Sequence, residues 1–214
     1  AMSPVIREQH DGFPMICHPD GRMVVGQFGS YINGFLANWK RGVNEGDIFL
    51  VSDPYSCGGA ISHINDWMVL MPIFFEGELV GWGSQFGHTV DMGGPVSGSL
   101  PTDADTIFGE GTRIPPVKLF AGGQLNEDLL DTILANSRVP TMNYFDLMAI
   151  VAACRTADKR VKEMCERFGK DEYIKGLEML LDRTHEAMKQ LIVMCLPETP
   201  LEFEDYIDDD GRGN

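Results

Sequence analysis

The sequence predicts an α+β fold, with a β-rich, Gly-rich N-terminal half followed by a helical C-terminal half. Two observations predict it. Up to about residue 86, apolar runs of strand length are separated by turn residues. From Leu125 onward, apolar residues recur at helical spacing over three long stretches.

Residues 13–17 and 23–27 flank His18-Pro19-Asp20-Gly21-Arg22 and read as a hairpin, because Pro and Gly bracket Asp in the turn. Residues 31–39 are a short helix candidate closed by Gly42. Gly46-Asp47 leads into a short buried strand at 48–51, and a Gly-rich loop follows from Ser52 to Ala60. Residues 67–75 and 79–86, joined by Glu76-Gly77-Glu78, form the clearest hairpin. Their nearly unbroken apolar runs predict strands covered on both faces. Residues 87–123 are rich in Gly, Pro, Ser and Thr and show no sustained period, which reads as a long functional loop. Helices are expected at 125–137, 145–168 and 171–195, with Gly169 stopping the second and Pro197 following the third. Methionines on these helices read as core filler.

Composition excludes several classes. With 17 Lys and Arg against 32 Asp and Glu the net charge is −15, which argues against nucleic acid and anionic lipid as partners. The longest apolar run, 67–75, is far short of a membrane span. No basic start followed by an apolar stretch is visible, so a cytoplasmic location is expected. The five cysteines form no CxxC pair, which predicts reduced and mostly buried thiols. Ala1-Met2 reads as a tag scar or as a point inside a longer chain. Neither a P-loop nor a dinucleotide GxGxxG is present, so the chain carries no visible ATP-binding apparatus.

The strongest candidate site is His63-Ile64-Asn65-Asp66 with His88-Thr89-Val90-Asp91. Each histidine stands three residues before an aspartate, and both pairs sit at the same end of the clearest hairpin. Pairing would bring His63 and His88 together with Asp66 and Asp91 close by. Imidazole with carboxylate suits a transition metal (Zn, Mn or Fe) better than Ca or Mg. The bland alternative is a pair of histidines that bond nearby backbone. Asp53, Gly58 and Gly59 lie in a tight loop that either approaches a ligand or is an ordinary turn capped by Asp53. Gly94 belongs to a second glycine loop. Glu110 could be a general base or a residue that orients another, and Arg113 could clamp a substrate carboxylate or phosphate; both could equally be a local surface pair. Cys57, His10, His18 and His185 lack helpful neighbours.

The same residues carry a family resemblance. Gly46-Asp47-Ile48-Phe49-Leu50, Ser52-Asp53-Pro54-Tyr55 with Gly58-Gly59, and His63-x-x-Asp66 occur in order. Gly87-His88-Thr89-Val90-Asp91-Met92-Gly93-Gly94, Gly98-Ser99, Glu110-Gly111-Thr112-Arg113-Ile114-Pro115-Pro116-Val117-Lys118-Leu119 and Asn136-Ser137-Arg138 follow. This pattern resembles the hydantoinase B family, which includes the B half of ATP-dependent hydantoinases and 5-oxoprolinases and the α-type subunits of acetone and acetophenone carboxylases. Gly81-Trp82 ahead of a single histidine looks more like the ketone carboxylases, and residues 109–119 look more like the hydrolases.

The resemblance implies a transition metal held by His63, Asp66 and His88, with Asp91 as their partner or a proton shuttle. Glu110 is expected to be catalytic, and Asp53, Gly58, Gly59, Gly94 and Arg113 to bind substrate. It implies a B-type subunit or fragment that acts on a small-molecule substrate phosphorylated by a hydantoinase A-type partner, which binds the ATP, in a hetero-oligomer. The alternatives are an α-type ketone carboxylase subunit and a non-catalytic structural portion of such a complex. The expected organisation is a β-rich metal-site region at 1–123, a helical region at 124–197, and an acidic tail or junction to further sequence at 198–214.

Overall fold

The computed structural model describes residues 1–27 and 29–204. The described residues form seven strands and five α-helices, in the order α1 (Pro4–Arg7), β1 (Pro14–Cys17), β2 (Met23–Val25), α2 (Ile32–Asn38), β3 (Ile48–Val51), β4 (Asp66–Phe75), β5 (Glu78–His88), β6 (Val117–Ala121), β7 (Gln124–Leu125), α3 (Glu127–Ala135), α4 (Pro140–Phe168) and α5 (Lys170–Cys195). The strands form one antiparallel sheet in the order β2-β1-β5-β4-β3-β6-β7.

The centre of the sheet is covered on both faces, as the unbroken apolar runs predict. On one face Ile48, Leu50, Trp67, Val69 and Met71 pack with Leu147, Ile150, Val151 and Cys154 of α4 and with Leu130 and Ile133 of α3. On the other, Phe49, Val51, Met68, Leu70 and Trp82 pack with Ile32 and Phe35 of α2 and with Trp39. Alternate residues of one strand thus feed two cores. The long helix lies close to the sheet because β5 offers glycines beneath it. A Cβ on Gly83 would meet Ala157 Cβ at 3.0 Å, and one on Gly87 would meet Ile150 and Ile6 side chains at 2.7 Å. The β4–β5 hairpin turns on Glu76 and Gly77, whose φ values of 52° and 80° match a two-residue turn with both centres left-handed.

The structure corrects the sequence reading in three places. Residues 117–121, read as loop, form β6, which pairs with β3, and residues 124–125, where the helix was expected to begin, form β7, which closes a small hairpin. Five residues behind Pro115-Pro116 are too few to show a period. Pro140 opens α4 five residues earlier than expected, as proline does well at a first helical position. Residues 4–7 form a helical turn capped by Ser3, whose backbone N–H donates to Asp146 of α4 at 3.0 Å.

Residues 1–177 form one compact unit that contains the sheet, α3 and α4, and the described residues from 178 onward belong to a second. In the second unit the apolar residues Met188, Leu191, Ile192 and Met194 of α5 are exposed. No helix among the described residues is long and apolar enough to cross a membrane. Cys17, Cys57, Cys154 and Cys165 are free and buried, and Cys195 is free and exposed. Of the acidic stretch at 198–210, residues 205–210 lie outside the described residues.

Candidate metal centre

Antiparallel register assembles the site. β4 begins at Asp66 and β5 ends at His88, and these two residues face each other as a cross-strand pair. His63, three residues ahead of Asp66, folds over that end. Beneath, Asn65 and Thr89 tie the two segments: Thr89 N and Oγ1 both donate to Asn65 O at 2.8 Å, and Asn65 Nδ2 donates to Thr89 O at 3.0 Å and Gly98 O at 3.1 Å. Both side chains are fully buried.

Three potential ligand atoms converge there. His88 Nδ1 lies 3.0 Å from His63 Nε2 and 3.0 Å from Asp66 Oδ1, and His63 Nε2 lies 3.3 Å from Asp66 Oδ1. Ligands about 2.0–2.1 Å from a tetrahedral ion stand about 3.3 Å apart, so this triangle fits one face of such a tetrahedron. Two neutral imidazoles and one carboxylate are the donor set that transition metals favour. Ser62 Oγ contacts His63 Nδ1 at 2.9 Å, which orients the ring with Nε2 toward the cluster.

The hydrogen bond with Asp66 raises the His63 pKa above its usual value, against the effect of burial. Burial pushes the Asp66 carboxyl upward, but its bonds with His63 and His88 outweigh that and hold it below the usual range.

Of the other residues that the sequence singles out, Glu110 comes nearest. Its Oε2 accepts from Ile64 N at 3.2 Å, so it holds the turn that carries His63, and its charge favours the protonated ring. Gly59 lines a cavity of ≈ 360 Å³ beside His63 and Asp66. Gly58 ends the helical turn at Tyr55–Cys57. Gly94 packs on the loop at Gly109 and Glu110. Asp53 accepts from Tyr55 N at 3.2 Å and from the Ser56 hydroxyl, and Arg113 Nε lies 3.9 Å from it. The Arg113 guanidinium also sits 5.3 Å from the Phe108 ring. Asp91 joins neither histidine in a hydrogen bond. Its carboxylate accepts from Gly93 N, Gly98 N and Arg138 N at 3.0 Å and from Arg138 Nη1 at 2.8 Å.

Sequence reasoning missed two residues here. Asp11 Oδ2 stands 3.9 Å from His88 Nδ1, because Asp11 O accepts from His88 N at 3.0 Å and so draws the start of β1 alongside β5. Tyr31 lines the cavity, and burial with the nearby Asp66 charge pushes its hydroxyl well above the usual value. Asp11 is 52 positions from His63, and no local pattern marks it.

The family model for Hydantoinase B/oxoprolinase matches residues 1–212. The chain belongs to the hydantoinase B/oxoprolinase family. Within it, the chain is 36% identical over 171 residues to caprolactamase subunit beta of Pseudomonas jessenii, covering 80% of this chain and 29% of that one. It is 32% identical over 201 residues to the acetophenone carboxylase delta subunit of Aromatoleum aromaticum, covering 88% and 28%. The crystal structure of the ATP-dependent caprolactamase from P. jessenii superposes with a TM-score of 0.79 at 32% identity, over 86% of this chain and 33% of that one. Nucleotide-free acetone carboxylase superposes with a TM-score of 0.74 at 26% identity, over 82% and 24%. The chain thus spans about a third or less of the length of these relatives.

Proposed function

We propose that this chain is the B-type portion of an ATP-dependent, hydantoinase- or oxoprolinase-like amidohydrolase. In this reading it binds one transition metal through His63, Asp66 and His88. A hydantoinase A-type partner, joined in a hetero-oligomer, binds ATP and phosphorylates a cyclic amide, and the cytoplasm is the expected compartment. The observation that carries the reading is the triangle of His63 Nε2, Asp66 Oδ1 and His88 Nδ1, with sides of 3.0–3.3 Å, beside an open cavity.

A bound divalent ion would acidify water and polarise a substrate oxygen. The chain's own residues do the rest. Ser62 orients His63, and Glu110 fixes the turn behind it. Asp11, on the cavity wall and half exposed, is the carboxylate placed to take a proton from a group bound there. Tyr31 keeps its proton and so presents a donor. Ketone carboxylation is the second reading, favoured by the likeness to acetone carboxylase.

Metal analysis tests the site: about one ion per chain is expected in the wild type and close to none in His88→Ala. Equal metal content in both would refute it. Activity of the chain with an A-type partner separates the two chemistries. ATP hydrolysis that depends on a cyclic amide supports the hydrolase, whereas dependence on bicarbonate and a ketone overturns it.

A further inference from the structure

The segment ahead of the sheet is fastened at both ends, and one of those ends is the metal centre. At the far end Asp146 of α4 is fully buried. Its carboxylate accepts from Met2 N, and from Ser3 N at 3.0 Å to one oxygen and 3.2 Å to the other. Among the described residues those two N–H groups are its hydrogen-bond partners, and no lysine or arginine pairs with it. A carboxylate buried without a cation is costly unless N–H groups satisfy it, so Asp146 and the segment hold each other.

From Ser3 onward the bonds are continuous. Ser3 O accepts from Arg7 N at 3.0 Å, Pro4 O from Glu8 N at 2.7 Å, Val5 O from Asp11 N at 3.1 Å and His10 O from Gly12 N at 2.8 Å. Midway, the Ile6 side chain fills the space above Gly87, where an added Cβ would meet it at 2.7 Å. His10 turns the chain at a φ of 58°, left-handed for a residue with a Cβ, and such a turn persists where the surroundings hold it on both sides. At the near end Asp11 O accepts from His88 N at 3.0 Å. A Cβ on Gly12 would meet Phe86 O at 2.8 Å, so the chain runs directly against β5. Asp11 Oδ2 then stands 3.9 Å from His88 Nδ1, on the cavity wall.

On the reading that His63, Asp66 and His88 hold a metal, we infer that Asp146 is a positioning residue for that centre: through residues 3–11 it fixes the Asp11 carboxylate against His88. Asp146 itself does not line the cavity. The Asp11 side chain is 45% exposed and has no packed pocket of its own, so its place follows from its backbone. A carboxylate held within a few ångström of a cation attracts it, whereas one swinging into solvent is screened.

The experiment compares the full chain with Asp146→Asn, Asp11→Asn and the double variant. It reads zinc affinity by chelator competition and the hydrogen exchange of backbone amides. Asp146→Asn puts an N–H donor where two backbone N–H groups converge. In it the amides of Arg7, Asp11 and His88 are expected to exchange at least about tenfold faster. Each single variant is expected to weaken zinc binding about tenfold, and the double variant by no more than about twofold beyond either. Wild-type zinc affinity in Asp146→Asn, or wild-type exchange at Asp11 and His88, overturns the inference. Losses that multiply in the double variant, or an unchanged affinity in Asp11→Asn, overturn it too. Should circular dichroism show that Asp146→Asn does not fold, Ile6→Ala takes its place in the cycle, with a severalfold loss that vanishes in the Asp11→Asn background. A wild-type chain that takes up no zinc overturns the metal reading instead.

Discussion

Two segments of this chain have the same form and different fates: His63-x-x-Asp66 and His88-x-x-Asp91. Asp66 opens a strand opposite His88 and faces two imidazoles. Asp91 lies beyond the end of β5, in a loop of glycines, and collects four N–H donors from Gly93, Gly98 and Arg138. One carboxylate is left with partners a cation can replace, whereas the other is saturated by groups that have nowhere else to go. Spacing alone does not assign a role. What decides it is whether the backbone after the histidine continues into a paired strand or breaks into a loop that needs an anion to organise its N–H groups.

The contrast is broken most sharply by metal affinity. His63→Ala, Asp66→Ala and His88→Ala are each expected to weaken zinc binding more than about 100-fold, measured by chelator competition, while Asp91→Asn changes it by less than about tenfold. Equal losses at Asp66 and Asp91 would show that both carboxylates serve the ion.

Stability reverses the ranking. Asp91→Ala leaves three backbone donors unpaired and takes the carboxylate from a guanidinium that keeps three carbonyls; it is expected to cost about 3 kcal/mol, which lowers Tm by roughly 6–12 °C for a chain of this size. A calorimetric shift within about 1 °C would show that the loop does not depend on this carboxylate. The pH dependence follows from the same bonds. Burial pushes the Asp91 carboxyl up, but the N–H groups of Arg138, Gly93 and Gly98 hold it below the usual range. Its pKa is therefore lower folded than unfolded, so its stabilisation is complete above the unfolded value near about 4 and is lost as pH falls through the folded value. Urea unfolding below about pH 4 is expected to show a steep loss in wild type and a flatter one in Asp91→Asn. Parallel curves would exclude Asp91 as the titrating group.

Those parts of the fold that repeat over many residues were legible. The hairpin of β4 and β5 declares itself through long apolar runs, and its ends bring His63, Asp66 and His88 together, as the spacing predicts. Short or distant features were not. β6 is five residues long and hides behind two prolines. Asp11 reaches His88 only because β1 pairs with β5, a contact made between residues far apart in the chain. Asn65 and Thr89 sit inside the motif itself, yet their work is to bond each other's backbone, which no side-chain pattern reveals. Thr89→Val tests that work. It is expected to cost about 1–2 kcal/mol and to weaken zinc binding about tenfold, because His88 loses its anchor. Full zinc affinity in a destabilised variant would limit Thr89 to stability alone.

The smallest effect is expected at Arg113, which differs from Arg138 in how it is held. Arg138 grips a buried carboxylate at 2.8 Å and reaches three carbonyls besides. Arg113 touches Asp53 only at 3.9 Å and is 39% exposed, so solvent screens the pair. Asp53 already has Tyr55 N and the Ser56 hydroxyl, and loses little when the guanidinium goes. Arg113→Met is therefore expected to change the unfolding free energy by less than about 1 kcal/mol. A clamp on the substrate would show differently, as a raised KM with stability unchanged. A loss above about 2 kcal/mol would show that Arg113 is held as firmly as Arg138, and the distinction between a free and a committed arginine would fail.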